Sequence, residues 1–214
     1  IPQILAGGNP VVVSIIGSIF FLGISSYIVY GWKPMTHAAV ISMVLSLSLT
    51  GLLSFLFIRI SRLTGFGNED VMFLMQQSEI PIDMRGILLA GIIIGSLGVL
   101  DDLVVGQSST VFQLHSVNPD IKFMELFRNA IKVGRDHVSA SVNTLVLAYA
   151  GESLPMLLLF SVTNVDLRMA INVSYIAEEI VRALAGTIGL FISIPIATSL
   201  ACLWVTRTKN KIIA

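Results

Sequence analysis

Apolar runs alternate with short polar segments along the whole chain. A helix needs about 20 apolar residues to cross a bilayer. Runs at about 11–32, 37–60, 86–114, 138–160 and 170–205 meet that length. The first, VVVSIIGSIFFLGISSYIVYGW, ends with Tyr27, Tyr30 and Trp32 placed as an interfacial aromatic belt, and Lys33-Pro34 closes it. The second carries Ser42, Ser46, Ser48 and Ser54, small hydroxylated residues that permit close helix contact in lipid. The third and fifth are longer than a crossing needs, so they tilt or project into water. Pro195 is expected to kink the fifth. The pattern predicts an all-α membrane protein, a bundle of five transmembrane helices with interfacial amphipathic helices.

The connectors carry their own signals. In residues 61–84, the stretch from Asn68 to Gln77 reads as a short amphipathic helix, with Asn68 as N-cap, Glu69 and Asp70 in the first turn, and Pro81 as the stop. Asn118-Pro119-Asp120 is a helix start, and Ile121, Met124, Phe127 and Ile131 recur at helical spacing. Residues 120–133 are therefore expected to lie as an amphipathic helix at the interface, with Gly134 turning the chain into the fourth run. Residues 206–214 are a basic tail. The side holding the first connector, the third connector and this tail carries eight Lys and Arg, and the other side five. The positive-inside rule places that tail in the cytoplasm and the N-terminus outside. Residues 1–10 read as an extracytoplasmic remnant, and an outside N-terminus without a signal peptide predicts an upstream span, missing or contributed elsewhere.

Composition agrees and narrows the classes. The chain is 55% hydrophobic and only 12% charged, against about 25% charged in a soluble domain. Net charge is zero, which gives no footprint for nucleic acid. One cysteine, Cys202, makes no disulfide framework within the chain. His37, His115 and His137 have no zinc-site spacing, and Met72, Met75 and Met84 fall short of a soft-metal motif. No Ser/His/Asp triad and no phosphate-binding glycine loop is visible, so neither cofactor nor metal is expected.

The chemistry concentrates in LLAGIIIGSLGVLDDLVVGQSSTVF, where Asp101 and Asp102 sit inside the third run. A carboxylate at membrane depth costs about 2.5–3.5 kcal/mol on insertion scales, and such residues mark ion or proton pathways by default. Gly91, Gly95, Gly98, Asp102, Gly106 and Ser109 recur every three or four residues and share one helical face. Two adjacent carboxylates at low dielectric do not both ionise easily, the property a proton relay needs. Asn143 and Thr144, near the middle of the fourth run, are candidate polar neighbours, with Ser109. No Lys or Arg lies deep in a run, so the acids share a proton, bind a cation, or find their partner on a second subunit. Glu178 and Glu179 open the apolar part of the fifth run and are access candidates; Glu178 and Arg182 have the i,i+4 spacing of an ion pair.

Two resemblances follow from these residues. RGILLAGIIIGSLGVLDDLVVGQSSTV, LFRNAIKVGRDHVSASVNTLVLAYAGESLP and AEEIVRALAGTIGLFISIPIAT resemble the YibE/F family of bacterial multipass membrane proteins, from about Gly65 to the end. This implies the bacterial cytoplasmic membrane and an extracytoplasmic region ahead of the spans. The order Gly98, Asp101-Asp102, Ala130, Gly134, then Ser139 to Thr144, is more distantly similar to one half of the resistance–nodulation–division exporters. There the paired aspartates relay protons, and five spans follow a large outer domain. This chain departs in its longer second connector, and it lacks the other half, which supplies those exporters' relay lysine.

The leading expectation is a proton- or cation-coupled transporter module with Asp101 and Asp102 as coupling site. As a half bundle it would work as a homo-oligomer or with a paired homologous subunit in the lipid bilayer. The alternative is a non-transporting scaffold or assembly subunit for an extracytoplasmic domain or a partner. An enzyme is not expected: intramembrane acid pairs share a water from two helices, whereas adjacent residues on one helix diverge by about 100°.

Overall fold

A computed structural model describes residues 2–77, 82–163 and 165–212, apart from the side chains of Leu5, Glu69, Met72, Leu167 and residues 208–212. The stop assigned to Pro81 and the side chains of Glu69, Met72, Lys209 and Lys211 thus lie outside the described part. Among the described residues there are helices and no strand. They run α1 (Pro2–Leu5), α2 (Pro10–Tyr30), α3 (Pro34–Ile60), α4 (Glu69–Gln77), α5 (Met84–Val117), α6 (Phe123–Glu152), α7 (Leu154–Val162), α8 (Leu167–Ala170) and α9 (Ser174–Ile212).

Local chemistry sets the ends. Asn9 Oδ1 accepts from the amides of Val11 and Val12 at 2.9 and 3.3 Å, with Pro10 at the first helical position. Gly31, at φ +77°, closes α2. Asn68 caps α4 through Oδ1, 3.0 Å from the Asp70 amide. The end of α3 is a Schellman closure: Arg62 N–H bonds Arg59 O and Leu63 N–H bonds Ile58 O. Arg62 itself takes the left-handed position, φ +53°, usually held by Gly.

The core is stacked along the bundle in three clusters. At one end Leu47, Ile58, Ile92, Ile93, Val181 and Ala185 join α3, α5 and α9. In the middle Leu22, Met43, Leu100, Val104, Val138, Leu190 and Ile194 bring in α2 and α6. At the far end Ala38, Val111, Leu126, Ala130, Ala201 and Val205 close it. Small residues let these helices approach. Ser14, Ser18 and Ser26 are buried on α2, and Ser42, Ser46, Thr50 and Ser54 on α3. Ser48 is exposed and bonds its own-helix Val44 O at 2.7 Å, so Thr50 completes the stripe in its place. Thr50 presses on α9 where a Cβ on Gly189 would lie 2.8 Å from its Cγ2.

Helices α2, α3, α5 and Ser174–Arg207 are each long and apolar enough to cross a membrane; α6 and α7, bent by 54°, make a fifth crossing if counted together. The bend differs from the sequence expectation. Gly134 does not turn the chain, because α6 runs unbroken from Phe123 to Glu152. Gly134 instead admits its neighbours: a Cβ there would lie 2.7 Å from Gln107 Oε1 and 2.9 Å from Ile194 Cγ2. The break falls at Ser153, before Pro155, which has no N–H to continue the ladder. Helix α9 continues through Pro195, which sits on its exposed side.

Candidate functional site

Asp101 and Asp102 lie on α5 between the buried Leu100 and Leu103. They are about 26 Å into a helix of 34 residues. Leu100, Leu103 and Val104 hold this turn rigidly in the middle cluster. The two carboxylates diverge. Asp102 is exposed on the outer surface of the bundle, whereas Asp101 is partly buried. Asp101 Oδ1 is buried without a hydrogen-bond partner, and so is the hydroxyl of Ser108, two turns further along the same face. Gly91 and Gly98, on the Asp102 side, have open space where a Cβ would sit. The glycine stripe is therefore a helix-contact face that this chain only partly fills.

Its partial filling comes from α6. A Cβ on Gly95 would lie 3.4 Å from Tyr149 Oη, and one on Gly106 would lie 3.5 Å from His137 Cε1. Between these two contacts the antiparallel register sets Asn143 at about the level of Asp101. Asn143 and Thr144 are exposed there, as Asp102 is. The Thr144 hydroxyl is taken by Ala140 O in its own helix at 3.1 Å. Ser109 accepts from Gln113 Nε2 at 3.1 Å, one turn on. The structure thus puts Asn143 and the acids at one depth, but gives Thr144 and Ser109 partners within their own helices.

Glu178 and Glu179 are both buried and part at once. Glu178 Oε1 accepts from the amides of Gly65 and Gly67, at 3.1 and 3.2 Å, and ties the loop after α3 to the start of α9. Both glycines are needed. Gly65 has φ +82°, and a Cβ on Gly67 would lie 2.6 Å from Glu178 Oε2. The ion pair expected between Glu178 and Arg182 is made by Glu179 instead, 3.4 Å from Arg182 Nη2 at i,i+3. Two converging loop amides claim Glu178, which leaves Arg182 to its neighbour. Tyr149 of α6 is within electrostatic reach of Arg182, Glu179 and Glu152. Tyr149 Oη, Glu179 Oε2 and Arg182 Nε are all buried without hydrogen-bond partners. These three groups form a second polar centre beside Gly95, about 10 Å along α5 from Asp102.

Two side chains that matter here, Tyr149 and Gln107, are not among the residues that the sequence pattern singles out. Gln107 is fully buried, and its Nε2 donates to Ala130 O at 2.9 Å and to Thr198 Oγ1 at 2.7 Å. It pins α6 and α9 to α5 five residues beyond Asp102. The signal was an amide inside an apolar run, where an unbonded one costs several kcal/mol.

No curated protein and no solved structure matches the chain. A family profile described as YibE/F-like protein matches residues 1–207. The match takes in α2 and α3, which the sequence resemblance had left out, together with the Asp pair and the Tyr149 centre. Long apolar helices that carry the whole profile make this a multipass membrane protein, and the chain belongs to the YibE/F-like protein family.

Proposed function

We propose that the chain is a half bundle of a proton- or cation-coupled transporter, similar to half of a resistance–nodulation–division exporter, and that Asp101 and Asp102 are its coupling site. One observation carries this reading: Asp102 stands on the outer surface of a bundle whose helices are built for lipid. A carboxylate facing hydrocarbon is costly, and such groups face protein or a water-filled cavity. A second copy of this chain, or a homologous subunit, covers the face of α5 that Gly91 and Gly98 leave open. Helix α7 buries no residue in this chain and exposes Leu154, Leu157, Leu158, Leu159 and Val162, a surface open to lipid or to the second copy. The pathway lies between the two copies, with Asp101 and Asp102 at mid-depth and Tyr149, Glu179 and Arg182 nearer one end. A proton held by one carboxylate passes to the other as the helices on either side change contact. The protein then needs no catalytic residue and no cofactor.

The test is carboxyl-stretch infrared difference spectroscopy across a physiological pH step on reconstituted protein. Wild type is compared with Asp101→Asn and Asp102→Asn. The expected result is a carboxyl band that vanishes in one variant, which names the proton carrier. A spectrum unchanged in both variants removes the coupling site and leaves the scaffold reading.

A further inference from the structure

The outward face of α6 carries a feature that the coupling site does not use. Side chains between Lys122 and Arg135 line an open hollow of about 510 Å³. Its floor is apolar, made by Phe127 and Ile131, which also pack against the bundle core. Its rim carries Lys122, Arg128, Lys132 and Arg135, all exposed, against one carboxylate, Glu125. Met124 and Val133 stand exposed on the same stretch, 54% and 43% accessible. A face bathed only in water gains nothing from exposed apolar groups among its cations, whereas a membrane–water boundary rewards both. Helix α6 passes without a break from this charged half into the apolar half beyond Val138, the pattern of a helix that leaves a bilayer. The hollow is at the end of the bundle that holds Lys33 and Arg207, through the cluster that joins Ala38, Leu126 and Val205.

We infer that this hollow binds the phosphodiester headgroup of an anionic phospholipid from the surrounding bilayer. The four cations take the phosphate, and the lipid's upper chain lies along Met124, Phe127 and Ile131. Basic pockets beside membrane helices recognise anionic headgroups in this way. Two guanidinium groups, Arg128 and Arg135, supply paired donors that match phosphate oxygens. Because the same unbroken helix carries Asn143 and Tyr149 further along, a bound lipid would steady the helix that faces the Asp pair.

The experiment is native mass spectrometry of the full chain in detergent, titrated with phosphatidylglycerol or with phosphatidylcholine. Wild type is expected to retain phosphatidylglycerol preferentially. A variant with Lys122→Gln, Arg128→Gln, Lys132→Gln and Arg135→Gln should lose that preference by at least roughly tenfold. A control with Arg59→Gln and Arg62→Gln, at the other end of the bundle, should keep it. Melting in phosphatidylcholine micelles checks folding; should the fourfold variant melt early, Arg128→Gln with Arg135→Gln is read instead. Equal retention of the two lipids by wild type overturns the inference. So does an undiminished preference in the hollow variant, or an equal loss in the control, which would mean diffuse surface charge. Displacement of the lipid by millimolar inorganic phosphate would make this a free-anion site and overturn it as well.

Discussion

Glu178 shows how one residue changes meaning once its neighbours are known. In the sequence it is one of two acids at the mouth of an apolar run. In the fold it is the acceptor for two loop amides, and its neighbour Glu179 takes the arginine. Removing it leaves buried N–H groups unmet, so Glu178→Ala is expected to cost about 2–3 kcal/mol. Glu178→Gln keeps an acceptor oxygen and should cost about 1 kcal/mol or less. Thermal or denaturant unfolding in detergent reads both, and equal stability of Glu178→Ala and wild type would remove the anchoring role. Glu179→Gln tests the other role, because it alters the polar centre at Tyr149 while leaving the loop amides bonded.

At the scale of the element, the misplaced turn is instructive. Gly134 and Pro155 are both helix breakers in a sequence, and only tertiary contacts separate them. Gly134 is held inside a continuous helix because Gln107 and Ile194 press on it from α5 and α9. Pro155 has no such neighbours, since α7 buries nothing, so the missing N–H decides the local geometry. Pro155→Ala restores a donor for Gly151 O and should straighten the α6–α7 pair. Spin labels at the exposed positions Val133 and Val162 are then expected to move apart by about 4 Å, at 1.5 Å rise per residue. An unchanged distance would mean that packing outside the chain imposes the bend. A second junction joins three elements at one end: Tyr27 Oη lies 2.7 Å from His37 Nδ1, Trp32 stacks on Tyr27, and Trp204 of α9 stacks on His37. Tyr27 and Trp32, two of the residues read as an aromatic belt, also take part in a clamp between α2, α3 and α9.

Over the whole molecule, the open face of α5 is the feature that asks for a partner. Gly98 has no neighbour within 4 Å of an added Cβ, so a side chain there leaves the single chain undisturbed. In a background with Cys202→Ala, Gly98→Cys is expected to form an intermolecular disulfide between copies in membranes under mild oxidation. Phe21→Cys, on the exposed side of α2, should not. Cross-linking at neither position, or equally at both, would separate the Asp face from self-association. Cross-linking only at Gly98 would put Asp102 at the subunit boundary.

Several features were legible in the sequence because each follows from one segment alone. Run length and hydropathy announce membrane helices, since backbone groups in lipid are satisfied only within a helix or closed barrel. Asn68 as a cap, and Asp101 and Asp102 as anomalies of an apolar run, need no knowledge of neighbours either. What required the tertiary structure is every statement about which side of a helix meets another. It decided that Asp102 is exposed while Asp101 is partly buried, and that Thr50 rather than Ser48 completes a stripe. It also decided that Glu179 rather than Glu178 pairs with Arg182, and that Tyr149 and Gln107 belong to the polar interior. Helical periodicity marks a face but not its direction, because all sides of these helices are apolar and lipid rewards each of them equally. Close packing of small residues and the few available donors choose the orientation, and both depend on contacts far apart in the chain.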